Sequence, residues 1–456
     1  MTAPEERLAE QAATVGTEVT ARRMFALAGS AFAVLAAEPL YLLVDTAVVG
    51  HLGKAPLAAL GIGGALMALL TLIGSFVEYG TTGRAARWYG AGRRDLAVRE
   101  GVQAGWLAVG LGLLAVLLGE LLAGPLTSAL AGGRGAVQHQ AEVWFRIAVC
   151  GLPGVLLVLA GNGWMRGVQR TRAPVAIVLA ANGLSAVLSP VLVYPVGLGL
   201  PGSAIANVAA QAVGAALFVF VLRREGVSLR PDLAVIRAQL VLGRDLFLRD
   251  AAFQVAFLSA AAVAARMGVA QIGAHQVALQ LWEFTALLLD SVAIAAQSIV
   301  GAALGGSDVA LARHTAWRVA RYGLFAGIGF GVLIGAGYFV VPQLFTSSLE
   351  VVHQAHVLWP WFAGMQPAAG VVFALDGVLI GAGDVGFMRT ITLVAALGAF
   401  LPLNLAALHW GWGIGGVWAG LTAFVVVRLI GMLARTAGSR WTVTGTASRP
   451  RAGTGT

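Results

Sequence analysis

Runs of about 20 predominantly apolar residues, the length a helix needs to cross a bilayer, recur along almost the whole chain. Charged residues make up 11% and hydrophobic ones 58%, with a mean hydropathy of +0.83. A soluble domain carries roughly 25% charged residues, so a water-soluble globule is excluded. Glycine is abundant, at 61 residues, as expected where helices approach closely in lipid. Cys150 is the single cysteine, which leaves no disulfide framework and no thiolate metal cluster. The expected architecture is an all-α integral membrane protein.

The net charge of +9 invites a nucleic-acid reading, but the arginines bunch in alternate loops. That is the positive-inside pattern of a multi-pass protein, and no solvated basic domain remains to cradle a duplex. Taking the arginine-bearing loops as cytoplasmic places twelve spans with both termini inside. Spans 1 to 6 occupy 24–224. Among them, span 2 covers about 57–82, span 3 101–130, span 4 141–165 and span 5 174–194. A polar linker, 225–245, separates them from spans 7 to 12 in 246–434. Residues 1–23 and 435–456 are expected to be cytoplasmic tails, the first lacking the basic-then-apolar order of a cleavable signal peptide.

A repeat underlies the two sets of spans. Leu52-Gly53 is followed 37 positions on by Gly90, and Met267-Gly268 by Gly305 at the same spacing, an offset of 215. Independently, Asn162-Gly163 with Gly167 matches Asp376-Gly377 with Gly381 at an offset of 214. Two landmarks at nearly one offset predict duplicated, pseudo-symmetric six-helix lobes in parallel orientation, an arrangement found among transporters.

Acids inside apolar spans are costly, and each is a functional-site candidate. In span 1, Glu38 and Asp45 flank Pro39, seven residues apart and so on one helical face. Pro39 removes one backbone hydrogen bond and makes a natural hinge. Glu283 and Asp290 repeat the seven-residue spacing in span 8, and Asp376 closes span 10. Glu120 reads as a snorkelling residue at the end of span 3, and Asp250 as an interfacial partner of Arg249. Asn162, Ser185, Ser189 and Asn207 supply amides and hydroxyls in spans 4 to 6 that would surround a carboxyl from span 1. Asp376 fits gating or helix packing equally. A carboxyl taken out of water can hold a proton near neutral pH and release it when its surroundings change, which is what proton coupling requires. No nucleotide loop, HExxH or GxSxG motif is present. An enzyme is therefore disfavoured, no cofactor is implied, and any transport would run on an ion gradient.

Taken together, these residues resemble a known family. Val44-Asp45-Thr46-Ala47-Val48-Val49-Gly50-His51-Leu52-Gly53, Gly80-Thr81-Thr82-Gly83, Ala274-His275-Gln276, Leu289-Asp290 and Asp376-Gly377-Val378-Leu379-Ile380-Gly381-Ala382-Gly383-Asp384 are similar to the multidrug and toxic compound extrusion family. The branch they look most like is that of DNA-damage-inducible protein F. The resemblance implies two six-helix lobes that export cationic or amphipathic compounds in exchange for protons or sodium. It also implies that Asp45 is the proton-responsive acid of the first lobe, in a helix that bends at its proline. Relatives often carry Asn-x-x-x-Asp in span 5, where this chain has Ser185 and Ser189, so Glu38 becomes the candidate replacement partner for Asp45. The family's second-lobe acid of span 10 is missing, with Ala369 at about that position.

The expected function is thus a proton-coupled antiporter exporting small cationic or amphipathic molecules, acting as a monomer in the bacterial inner membrane. The driving ion is expected to be H+, with Na+ as the alternative. A flippase for lipid or lipid-linked precursors is the competing reading. It would need arginines facing phosphates, and Arg428 is the exception in otherwise arginine-free central spans.

Overall fold

The structure, a computed structural model, describes residues 21–445, which are helical with no strand among them. The tail segments 1–20 and 446–456 lie outside the described residues. Helix α1 spans Ala21–Gly50, α2 Lys54–Gly90, α3 Arg94–Ala131, α4 Ala136–Val149, α5 Leu152–Gly167, α6 Arg172–Val193 and α7 Leu200–Arg223. The second series is α8 Leu233–Met267, α9 Val269–Gly305, α10 Val309–Ala336, the short α11 Val341–Phe345 and α12 Leu349–Gly381. It ends with α13 Val385–Val394, a π-helical turn Ala395–Phe400, α14 Leu401–His409 and α15 Gly413–Ala437.

Among the described residues, eleven helices are long and apolar enough to cross a membrane, with α13 to α14 counted as one, and α4 with α5 make a twelfth bent by 48°. The bend replaces the single straight span 4 read from the sequence. Gly151 and then Pro153 at the head of α5 explain it, because proline cannot donate to the preceding turn and glycine is a poor helix former. The polar linker is shorter than the sequence suggests, since α8 already begins at Leu233. Asp232 starts that helix by accepting the Ala234 and Val235 amides on Oδ1 at 3.0 and 3.4 Å, the N-cap role that aspartate favours.

The chain packs as two compact units. One comprises Gly29–Gly243; the other, among the described residues, comprises 244–445 together with 21–28, so the division falls within α1. Within the second unit, Met24, Leu27 and Ala28 join a core with Ala252, Ala256 and Val319.

Each unit repeats the other's construction. Helices α2 and α9 have both bounds 215 positions apart, and α3 and α10 start at the same offset. The match extends to backbone contacts. A Cβ on Gly163 would strike the Glu78 carbonyl, and one on Gly377, its twin, would strike the carbonyl of Ala293, the twin of Glu78. Gly167 meets the Thr82 carbonyl as Gly381 meets that of Gln297. Gly112 rests on Pro153 as Gly327 rests on Pro367. Close helix packing in lipid uses such small residues, and these positions carry the duplication that sequence identity barely records. Turn conformations repeat as well. Gln169 (φ 58°) and Ser307 (φ 62°) are the non-glycine residues in left-handed backbone among the described residues. Their twins are Gly383 (φ 70°) and Gly92 (φ 73°).

Candidate functional site

The first unit gathers polar groups around Asp45, which is 2% exposed. Helix α1 buries a stripe that includes Val34, Ala37, Tyr41, Asp45 and Val49, spaced three or four apart, the period of one helical face. Ser189 on α6 donates its hydroxyl to Asp45 Oδ1 at 2.7 Å. Ser203 on α7 faces the same carboxyl and accepts the Trp144 indole N–H from α4 at 2.9 Å. One turn earlier in α1, Tyr41 faces Ser185 and Asn207. Four helices thus converge on one acid, which meets hydroxyls and no cation in any of these contacts.

The sequence reading named Asp45, Ser185, Ser189 and Asn207, and these come together. Two of its other candidates make no hydrogen bond within this group, although Glu38 stands near enough to Tyr41 to act on it electrostatically. Asn162 is buried on α5 with its Oδ1 unpartnered, and makes no hydrogen bond to this group. Glu38 is exposed and is not the hydrogen-bond partner of Asp45; Ser189 is. Seven residues place the two acids on one face but also about 10 Å apart along the axis. The face is packed at one level and open at the other. Ser203 and Trp144 were missed, because a serine and a tryptophan in apolar helices carry no signal of their own.

In the second unit, Asp376 is committed to an ion pair. Arg428 Nη2 donates to both its oxygens at 2.7 and 2.9 Å. Arg249 pairs with Asp250 at 2.9 Å and reaches Asp376 at 3.8 Å. The Arg428 guanidinium also lies over Phe253, 4.6 Å from the ring centroid. Glu283 is exposed and Asp290 half-buried, so the seven-residue spacing does not give them a shared buried face. His275 is buried against Trp418. Glu120 does not simply snorkel: it accepts from Arg146 at 2.8 Å.

The contrast between acids is sharp. Five are buried among the described residues: Asp45, Glu78, Glu100, Asp376 and Asp384. Glu78 pairs with Arg166, Glu100 with Arg84, Asp376 with Arg428 and Asp384 with Arg435. Only Asp45 is held by hydroxyls alone. No group of three or more His, Cys, Asp or Glu residues is arranged to hold a metal ion among the described residues.

Comparison with known proteins agrees with this architecture. The MatE family model matches twice, over residues 30–191 and 246–405, once in each repeat. The chain belongs to the MatE family. It is 32% identical to DNA damage-inducible protein F of Escherichia coli (strain K12), over 87% of each chain. It is also 32% identical to Protein DETOXIFICATION 44, chloroplastic, of Arabidopsis thaliana, over 87% of this chain and 78% of that one. Among solved structures, the Vibrio cholerae MATE transporter VcmN in the bent form superposes with a TM-score of 0.84 at 20% identity, covering 93% of this chain and 97% of that one. At that identity the likeness shows the fold. A multi-pass membrane protein of this family is therefore the setting for the Asp45 site.

Proposed function

We propose that this chain is a proton-driven exporter of small cationic or amphipathic molecules, with Asp45 carrying the coupling proton. The observation behind this reading is the isolation of Asp45 from every basic side chain that pairs with the other buried acids. A carboxylate clamped by arginine is held in its charged form, whereas one among neutral hydroxyls can change protonation. Switching one charge on and off inside a span is worth enough to bias a conformational equilibrium. Glu38, exposed on the same helix two turns away, is placed in this reading as a group through which protons or cationic cargo approach. Pro39 is the hinge. The protein works as a monomer in the bacterial inner membrane with both termini cytoplasmic.

Arg428 was the residue that kept a phosphate-binding flippase in view, and its commitment to Asp376 favours the cation exporter. The test is uptake of a fluorescent cation by proteoliposomes under an imposed pH or sodium gradient. The expected outcome is proton-driven exchange that Asp45→Asn abolishes while leaving insertion intact. Normal proton-driven exchange by that variant would refute the assignment, and exchange driven by sodium alone would move the coupling to the alternative ion.

A further inference from the structure

Ser203 is fixed from two sides. The Trp144 indole occupies one lone pair of its Oγ at 2.9 Å, and the hydroxyl faces the Asp45 carboxyl. Its own helix offers another acceptor, the Leu200 carbonyl, at 3.2 Å. Trp144 cannot easily swing away, because its ring fills the space where a side chain on Gly63 would stand. A serine hydroxyl has one hydrogen and two lone pairs. With the indole on one lone pair, the hydrogen has two acceptors to serve and one lone pair stays open.

That arrangement suits both protonation states of Asp45. When the carboxyl is ionised, Ser203 donates to it beside Ser189. When it is protonated, its new O–H needs an acceptor; Ser203 then turns its hydrogen onto the Leu200 carbonyl and offers its open lone pair. We propose that Ser203, oriented by Trp144, is a positioning residue for the Asp45 proton, a hydroxyl that exchanges its donor between Asp45 and the Leu200 carbonyl as the acid titrates. This rests on the reading of Asp45 as the coupling acid.

The neighbouring titratable groups do not substitute for it. On α1, Tyr41 stands one turn and Glu38 two turns away, and the His51 Nδ1 is bonded to the Ala47 carbonyl at 2.7 Å. Just past the end of α6, the Tyr194 hydroxyl is spent on the Val48 carbonyl at 2.6 Å. On α4, Glu142 and Arg146 pair with each other at 2.9 Å.

The experiment uses the full chain in proteoliposomes, with Ser203→Ala, Ser203→Thr, Trp144→Phe and the Ser203→Ala/Trp144→Phe double variant. Proton-driven cation exchange is measured beside infrared difference spectra of the carboxyl. The protonated Asp45 band is identified by its loss in Asp45→Asn. Leaving one buried partner unpaired should slow exchange about tenfold in Ser203→Ala. Trp144→Phe should slow it less, the double variant should be no slower than Ser203→Ala, and Ser203→Thr should restore it. In Ser203→Ala the Asp45 carbonyl band should move to higher wavenumber. An unmoved band, or losses that multiply in the double variant, would overturn the proposal. Intact exchange in Asp45→Asn would instead refute the coupling reading, while the band still reports the contact with Ser203, so the two failures are distinguishable.

Discussion

At the scale of single residues, what distinguishes Asp45 is the company it lacks. Glu38→Gln tests the other acid of α1. Because Glu38 is exposed and Ser189 holds Asp45, this variant should lower the rate of exchange a few-fold yet keep proton dependence; abolished coupling would return Glu38 to the role of partner. Glu283→Gln, exposed in the second unit, should leave proton dependence unchanged. Much of this site was legible in the sequence. An acid in an apolar run stands out, and helical period placed Glu38 and Asp45 on one face of α1. Period does not report depth, so it could not separate a buried Asp45 from an exposed Glu38. Nor could it find Ser203, whose role arises only where α4 and α7 meet α1. The arginine partners were equally hidden, as Glu78 and Arg166 stand 88 positions apart in the chain.

At the scale of elements, helices stay close because glycines remove side chains at the crossings. Gly377→Ala would drive a methyl into the Ala293 carbonyl, and the displaced backbone should cost about 1–3 kcal/mol, seen as a lower melting temperature in detergent. Gly29→Ala is the control: nothing lies within 4 Å of its added Cβ, so stability should be unchanged or slightly improved by the better helix propensity. Equal melting of both variants would show that the crossing relaxes freely. Pro39 sits inside a helix that continues through it. Pro39→Ala should restore the missing hydrogen bond and stiffen α1, raising melting temperature while slowing exchange; unchanged exchange would remove the hinge role. Boundaries were the least legible part of the fold. The α4–α5 bend depends on Gly151 preceding Pro153, whereas Pro367, the twin proline, lies inside an unbroken α12 with Met365 at the glycine's place. A proline alone does not announce which outcome follows.

At the scale of the whole molecule, every buried acid but Asp45 among the described residues is paired with an arginine of its own unit. Arg428→Leu would leave Asp376 buried beside a weaker partner, and breaking such a pair typically costs about 3–5 kcal/mol. Loss of folded protein on size-exclusion chromatography is the expected result. The double variant Arg428→Leu/Asp376→Leu should recover most of it, since removing both charges removes the need for either. Failure to recover would mean that Arg428 matters mainly through its packing on Phe253 and Phe424.

The duplicated backbone has a practical consequence. Each half is a natural homologue of the other, expressed in equal amount and measured in the same lipid. Ser307 holds a left-handed turn that its twin gives to Gly92, so Ser307→Gly asks what the turn costs a side chain, and Gly92→Ser asks it again in reverse. The first should stabilise by about 0.5 kcal/mol, strain relief outweighing the added freedom of the unfolded chain, and the second should destabilise by a similar amount. Unequal magnitudes would measure how differently the surroundings of the two turns have come to support the same backbone, a comparison of the two copies read in free energy instead of sequence.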